Sequence, residues 1–306
     1  METVLSKTRI TTIAPTYQEL TVHLDDAYKV AWCYMHATPR PCFSTRMLTE
    51  LNAWIHHLSD HGSRLNLRYH VLASSVPGIF NLGGDLDLFR ALALAGDRDA
   101  LLAYGTRCID VLYANTVGFG LPVTTIALVQ GEALGGGFEA ALSSDVLIAE
   151  RGARMGFPEI LFNLFPGMGA FSLLSRKLDA KRAERMILSG TLYTAEELHA
   201  MGLVDILAED GEGELAVYEH IKRENRARNG FQALRRARDA CNPVTYEELM
   251  RILEIWVETA LKLEKRDLRM MDRLVSRQHL VGNRATDEAG RTDSVAVGTA
   301  AARARA

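Results

Sequence analysis

Cysteine is scarce: there are four in 306 residues, Cys33, Cys42, Cys108 and Cys241, and no two form a CxxC pair. That scatter argues against a disulfide framework and reads as reduced core or surface thiols in a cytoplasmic protein. An excess of charge of one sign is missing too. Thirty-five basic residues against 38 acidic ones leave a formal net charge of -3, so the chain as a whole has no field that would gather nucleic acid. Apolar runs such as "VTTIALV" fall well short of the ~20 residues needed to cross a bilayer. The opening "METVLSKTRITTIAPTYQEL" has no basic stretch followed by an apolar core, so no signal peptide is expected. What is present, 48% hydrophobic and 24% charged residues, suits one large globular domain or a domain with an appendage.

Along the chain, strand-like and helix-like patterns alternate, which predicts α/β layers. "YKVAWCYMH" reads as a strand, and "STRMLTELNAWIHHLSDH" follows with Leu48, Leu51, Ile55 and Leu58 at helical spacing. "RYHVLASSV" is a second strand and "PGIFNLGGD" a glycine-rich loop. "DRDALLAYGTRCIDVLYANTVGF" is helical, and "LPVTTIALVQG" is a buried strand opened by Pro122. "SDVLIAE" is a further strand. From about Ile221 the chain is almost wholly helical, with Thr245 and Glu248 spaced as a capping box.

One stretch breaks the pattern. "GEALGGGFEA" sets Gly135, Gly136 and Gly137 in a row, straight after a buried strand. Glycine inside a helix costs about 1 kcal/mol relative to alanine, so three together imply a tight turn or a close approach to the backbone. A helix starting there would present unpaired N–H groups to a ligand oxygen. The run does not fit G-x-G-x-x-G, which sets aside a dinucleotide loop. "GIFNLGGD" also follows a strand and offers a second donor. Two donors aimed at one atom would stabilise a thioester carbonyl as it becomes an enolate.

Two carboxylates accompany these loops. Glu139 lies in the first helical turn after the glycines, and Glu159 follows 20 residues later in "MGFPEI". One could take the proton alpha to a carbonyl while the other protonates a departing hydroxyl. An apolar setting would raise both pKa values toward working pH. Spacing alone equally allows Glu139 to be a helix N-terminal acid and the glycines to be a plain turn.

"VQGEALGGGFEAALSSDVLIAE", "MGFPEI", "FPGMGA" and "AERMILSGTLYTAEELHAMGLVDIL" resemble the crotonase (enoyl-CoA hydratase/isomerase) superfamily in content and order. The resemblance runs from about Tyr28 to Leu207. It implies an α/β fold with a ββα spiral core and a C-terminal helical trimerisation segment, in trimers or pairs of trimers. It divides the chain into an N-terminal extension (1–25), a spiral core (26–220), a helical segment (221–280) and a disordered tail (281–306). The oxyanion donors it implies are the backbone N–H groups of Leu82 and Gly136, with Glu139 and Glu159 as the catalytic pair. Gly83, Leu134 and Gly135 would contact substrate. Asp145 reads as structural. No cofactor and no metal is expected.

Departures from an ordinary hydratase narrow the resemblance. "NLGGD", "GMGAFSLL", the N-terminal extension and the "PRPCFS" turn are similar to the synthases of the diffusible signal factor, a cis-2-unsaturated fatty acid quorum signal. That similarity implies dehydration of a 3-hydroxyacyl thioester on acyl carrier protein, then hydrolysis to the free acid. It also implies a tunnel lined by Met168, Trp256 and Leu274, residues that plain core packing would explain equally well. The rival readings are an enoyl-CoA hydratase or isomerase acting on a CoA-bound substrate, and a non-catalytic protein that binds a partner such as a sensor kinase. Two further signals are weak. His57 and His61 are four apart with no third metal ligand, and an exposed helix face explains them better. Arg226, Arg228, Arg235, Arg236 and Arg238 form a basic stretch that could dock an acidic carrier or face solvent.

Overall fold

The computed structural model describes residues 16–276; most of the expected N-terminal extension and the whole 281–306 tail lie outside them. β1 (Leu20–Asp25) and β2 (Val30–Met35) form an antiparallel pair, and α1 (Thr45–Leu65) follows, capped by the Ser44 hydroxyl. Next come β3 (Tyr69–Ser74), β4 (Ile79–Asn81), α2 (Leu86–Ala95) and α3 (Arg98–Thr116). The third turn of the chain is β5 (Thr124–Val129), β6 (Glu132–Leu134) and α4 (Gly136–Leu142). The fourth is β7 (Val146–Glu150), β8 (Arg154–Gly156), a 3-10 turn at Pro158–Phe162, α5 (Ala170–Lys177) and α6 (Ala180–Ser189). β9 (Leu192–Thr194), α7 (Ala195–Ala200) and β10 (Ile206–Ala208) close the spiral. α8 (Gly213–Asn225), α9 (Arg228–Cys241), α10 (Tyr246–Ala260) and a helical stretch at 265–276 complete it.

The first turn gives both of its strands to one sheet, and each of the next three turns places one strand in each of two sheets. The larger sheet runs β1-β2-β3-β5-β7-β10 and the smaller β4-β6-β8-β9. β5 is buried at all six positions, as a parallel strand covered on both faces must be. The fold is thus the expected crotonase-like spiral. The smaller sheet was not legible in the sequence, because its strands are three residues long and show no alternation. "GIFN" and "GEAL" therefore read as loop where the structure has β4 and β6.

Position 221 falls inside α8, whose Val217 and Ile221 pack on the larger sheet. The capping box at Thr245 is only half formed. The Thr245 hydroxyl accepts from Glu248 N–H at 3.2 Å, but the Glu248 carboxylate takes both arms of Arg176 at 2.8 Å. The residue that would close the box instead ties α10 to α5.

The basic stretch is also put to a different use. Arg235 reaches the fully buried Glu224 at 2.7 Å, and Arg238 reaches Asp145 at 2.8 Å. Asp145 in turn accepts from Thr125 N–H, which fits its structural reading. Arg235 therefore brackets α9 to the sheet, and charge reversal there cannot report on carrier docking. Arg235→Glu is expected to lose roughly 3 kcal/mol of stability, because it leaves Glu224 buried beside a like charge. Arg236→Glu, at an exposed position, should stay within about 0.5 kcal/mol of wild type. Urea unfolding separates the two, and equal midpoints would show that the bracket has no structural role.

Candidate active site

The glycine run sits where the smaller sheet hands over to α4. Gly135 follows β6 and caps α4 with φ at 52°, in the region that favours glycine. Its N–H donates to Gly156 O at 2.9 Å, and a Cβ on it would collide with Glu159 Oε1. Gly137 is equally constrained, since a Cβ there would strike the Asn81 carbonyl. These glycines are required by close approach from β4 and from the 3-10 turn that carries Glu159.

The other loop abuts this one. A Cβ on Gly83 (φ 87°) would stand 3.1 Å from Gly136 N, and one on Gly136 would stand 3.6 Å from Gly84 N. The backbone N–H groups of this loop can be accounted for one by one. Leu82 N–H donates to Pro41 O at 2.8 Å, Gly83 N–H to Asn81 Oδ1 at 2.8 Å, and Asp85 N–H to Tyr104 Oη at 2.9 Å. Gly84 N–H has no acceptor among the described residues, and neither does Gly136 N–H. The N–H of Leu82, the expected donor, is thus spent on Pro41, and Gly84 carries the unspent N–H of this loop. Leu82 contributes its side chain to the cavity wall, while its N–H is taken by a carbonyl from a segment 41 residues upstream, in a contact no local pattern reveals. Position relative to Asp85, which caps α2, would have pointed to Gly84.

Beside these two N–H groups lie the carboxylates. Glu139 is 1% exposed, and its Oε1 accepts from Met168 N–H at 2.8 Å and Ala170 N–H at 2.9 Å. Burial pushes its carboxyl up to about 7, against the pull of the N–H groups of Ala170, Met168 and Gly169. Burial, and after it the charge of Glu139, pushes Glu159 higher, to about 8. Glu159 Oε2 is buried without a hydrogen-bond partner among the described residues. Because the charge of Glu139 raises Glu159, ionising both carboxyls is unfavourable near neutral pH and the pair retains a proton. The donors around Glu139 favour the charge there and leave the proton on Glu159.

Leu82, Gly83, Leu134, Gly135, Gly136, Glu139, Glu159, Met168, Trp256 and Leu274 all border one cavity. Sequence reasoning missed Phe89, Tyr104, Cys108 and Leu253 in the same wall. Phe89 and Trp256 meet with ring centroids 5.0 Å apart. Gly105 and Gly167 leave room for Leu253 and Trp256, since a Cβ on either would overlap those side chains. A helical glycine, Gly105, is the signal that could have exposed this packing of α10 on α3. The described residues include no cluster of three or more potential metal ligands. His57 and His61 simply stack, 4.6 Å apart. No helix among the described residues is long and apolar enough to cross a membrane.

If the singly protonated pair is the working form, activity is bell-shaped in pH, with limbs near 7 and 8 that belong to the pair as a unit. Initial rates between pH 5 and 10 would check this. A rate that rises monotonically across both values would contradict it.

A model of the enoyl-CoA hydratase/isomerase family matches residues 30–264. Human mitochondrial methylglutaconyl-CoA hydratase is 33% identical over 151 residues, 49% of this chain and 42% of the relative. Mevalonyl-coenzyme A hydratase of Beauveria bassiana is 35% identical over 184 residues, 58% of this chain and 60% of the relative. The chain thus spans about half the length of these relatives. Among solved structures, an enoyl-CoA hydratase from Mycobacterium avium subsp. paratuberculosis superposes with a TM-score of 0.70 at 20% identity, covering 86% of this chain and 97% of that one. Pseudomonas aeruginosa DspI superposes with a TM-score of 0.62 at 25% identity, covering 79% and 90%. With the spiral fold, the paired glycine loops and a family match over most of its length, this chain belongs to the enoyl-CoA hydratase/isomerase family.

Proposed function

We propose that the protein removes water from a 3-hydroxyacyl thioester held on acyl carrier protein and then hydrolyses the thioester, releasing a cis-2-unsaturated fatty acid of the diffusible-signal type. The observation that carries this reading is a pair of buried carboxyl groups, both raised toward neutral pH, beside two unspent N–H groups in a largely apolar cavity. Elimination and hydrolysis both put negative charge on the thioester oxygen. Gly84 and Gly136 can stabilise that oxygen as an enolate in the first step and as a tetrahedral oxyanion in the second.

Glu139 and Glu159 divide the proton transfers. When water adds to C3, ionised Glu139 takes its proton and Glu159 gives its own to C2. Elimination runs this path in reverse, from the form with the proton on Glu139. Burial raises both carboxyls toward neutral pH, so the form with the proton on Glu139 is accessible. In hydrolysis the pair takes a proton from the attacking water and returns one to the departing carrier thiolate. Apolar side chains of α2, α3 and α10 would hold the acyl chain. Trimers or paired trimers fit α9, which buries none of its residues and leaves Leu234 72% exposed.

A second reading, hydration of an enoyl-CoA, is favoured by the names of the relatives. Purified protein given 3-hydroxydodecanoyl–acyl carrier protein and, separately, crotonyl-CoA distinguishes the two by mass spectrometry. Free 2-dodecenoic acid with little crotonyl-CoA hydration supports the proposal. Rapid hydration with no free acid overturns it. A non-catalytic binding role would give neither product.

A further inference from the structure

The N–H of Gly84 is useful only if its peptide plane is held still, and glycines on both sides give that plane no side-chain support. The fixing comes from elsewhere. The Gly83 carbonyl and the Gly84 N–H belong to one trans peptide, so they point in opposite directions. Phe43 N–H donates to Gly83 O at 2.8 Å, which locks that plane and turns Gly84 N–H away from Phe43. The next plane carries Asp85 N–H, which donates to Tyr104 Oη at 2.9 Å, and the same hydroxyl donates to Phe43 O at 2.8 Å. Arg40 completes the clamp, with Nη1 2.9 Å from both Asp85 and Asp87.

Resting on the reading of Gly84 and Gly136 as an oxyanion pair, we propose that Tyr104 is a positioning residue. It holds the peptide plane after Gly84 by accepting from Asp85 N–H, and it ties that plane to Phe43, whose N–H holds the plane before Gly84; Arg40 braces the same loop through Asp85 and Asp87. The phenol is deeply buried, and burial keeps it protonated far above neutral pH, so the bridge persists across the working range. A tyrosine that only filled space would be replaced by phenylalanine at little cost to chemistry. One that aims a donor would not.

The test is Tyr104→Phe, read in two ways with a 2-dodecenoyl pantetheine thioester as the bound probe. Difference infrared spectroscopy reports how far the site pulls the thioester carbonyl stretch to lower wavenumber, and steady-state kinetics separates kcat from KM. Wild type should show a clear downshift. Tyr104→Phe should lose most of it, with kcat down about 10- to 100-fold and KM within about twofold, because removing an oxyanion donor outright costs about 10²–10³ in kcat. If Tyr104→Phe does not fold, Arg40→Lys, which loses the shared contact to Asp85 and Asp87, should reduce the shift in part. A downshift and kcat unchanged from wild type in whichever variant folds would overturn the inference and leave the proposed function standing. No downshift in wild type would remove the oxyanion pair itself, and the inference with it.

Discussion

Glu159→Gln is expected to lose about 10²–10⁴-fold in turnover and, at the same time, to become more stable than wild type in alkali. The first effect follows from losing the proton that Glu159 exchanges with substrate. The second follows from linkage. Because burial and the Glu139 charge raise the Glu159 carboxyl to about 8, the native state binds more protons than the unfolded chain between about pH 4.5 and pH 8. Stability must then fall as pH rises through that window, by roughly 3 kcal/mol or more. Glutamine has no charge to bury, so its slope is shallower. Calorimetry at pH 5 and pH 8.5 should show a smaller loss of Tm in the variant, and Glu139→Gln should behave alike. The amide oxygen of that glutamine can still accept from Met168 and Ala170. Equal slopes in wild type and both variants would show that the carboxylates are not strained by their setting. Sites that work by burying charge give up stability in this way.

Gly135→Ala is expected to damage fold and chemistry together. Alanine at φ 52° is strained by roughly 1–2 kcal/mol, and its Cβ would occupy the place of Glu159 Oε1. The carboxylate must move, so activity should fall as far as in a Glu159 variant, with a total destabilisation of roughly 3 kcal/mol. Gly136→Ala provides the contrast. The tightest contact of its Cβ would be the flexible Met168 Sδ at 2.8 Å, with Gly83 Cα and Gly84 N at ordinary distances of 3.5 and 3.6 Å, and Gly136 carries no positive φ. Its stability loss should be under about 1 kcal/mol, while the oxyanion site is still disturbed. If Gly135→Ala keeps wild-type turnover, Glu159 is not held where its reaction requires.

How much of this the sequence disclosed depends on how local each feature is. The long helices were legible from periodicity: α1, α3 and α10 each carry an apolar face to the core. Glu139 and Glu159 were read together from two motifs 20 residues apart, and both border the same cavity. The smaller sheet was not, since a three-residue strand has no period to detect. Leu82 and Gly84 differ in where their N–H groups go: Pro41 O takes that of Leu82, while the N–H groups on either side of Gly84 go to Asn81 and Tyr104 and its own stays unspent. The arginines of α9 looked like a surface patch until Glu224 and Asp145 came to meet them across the fold. For Leu82 and Asp145 the missing information was a partner far away in sequence.

One oxyanion site and one glutamate pair are proposed to carry out both water loss and thioester hydrolysis. Mass spectrometry of the products formed from 3-hydroxydodecanoyl–acyl carrier protein in ¹⁸O-water tests it most directly, with wild type, Glu139→Gln and Glu159→Gln side by side. The account predicts free 2-enoic acid carrying one ¹⁸O in its carboxylate from wild type, and neither enoyl thioester nor free acid from either variant. Labelled free acid released at the wild-type rate by either variant would contradict it, because hydrolysis would then be the work of other residues.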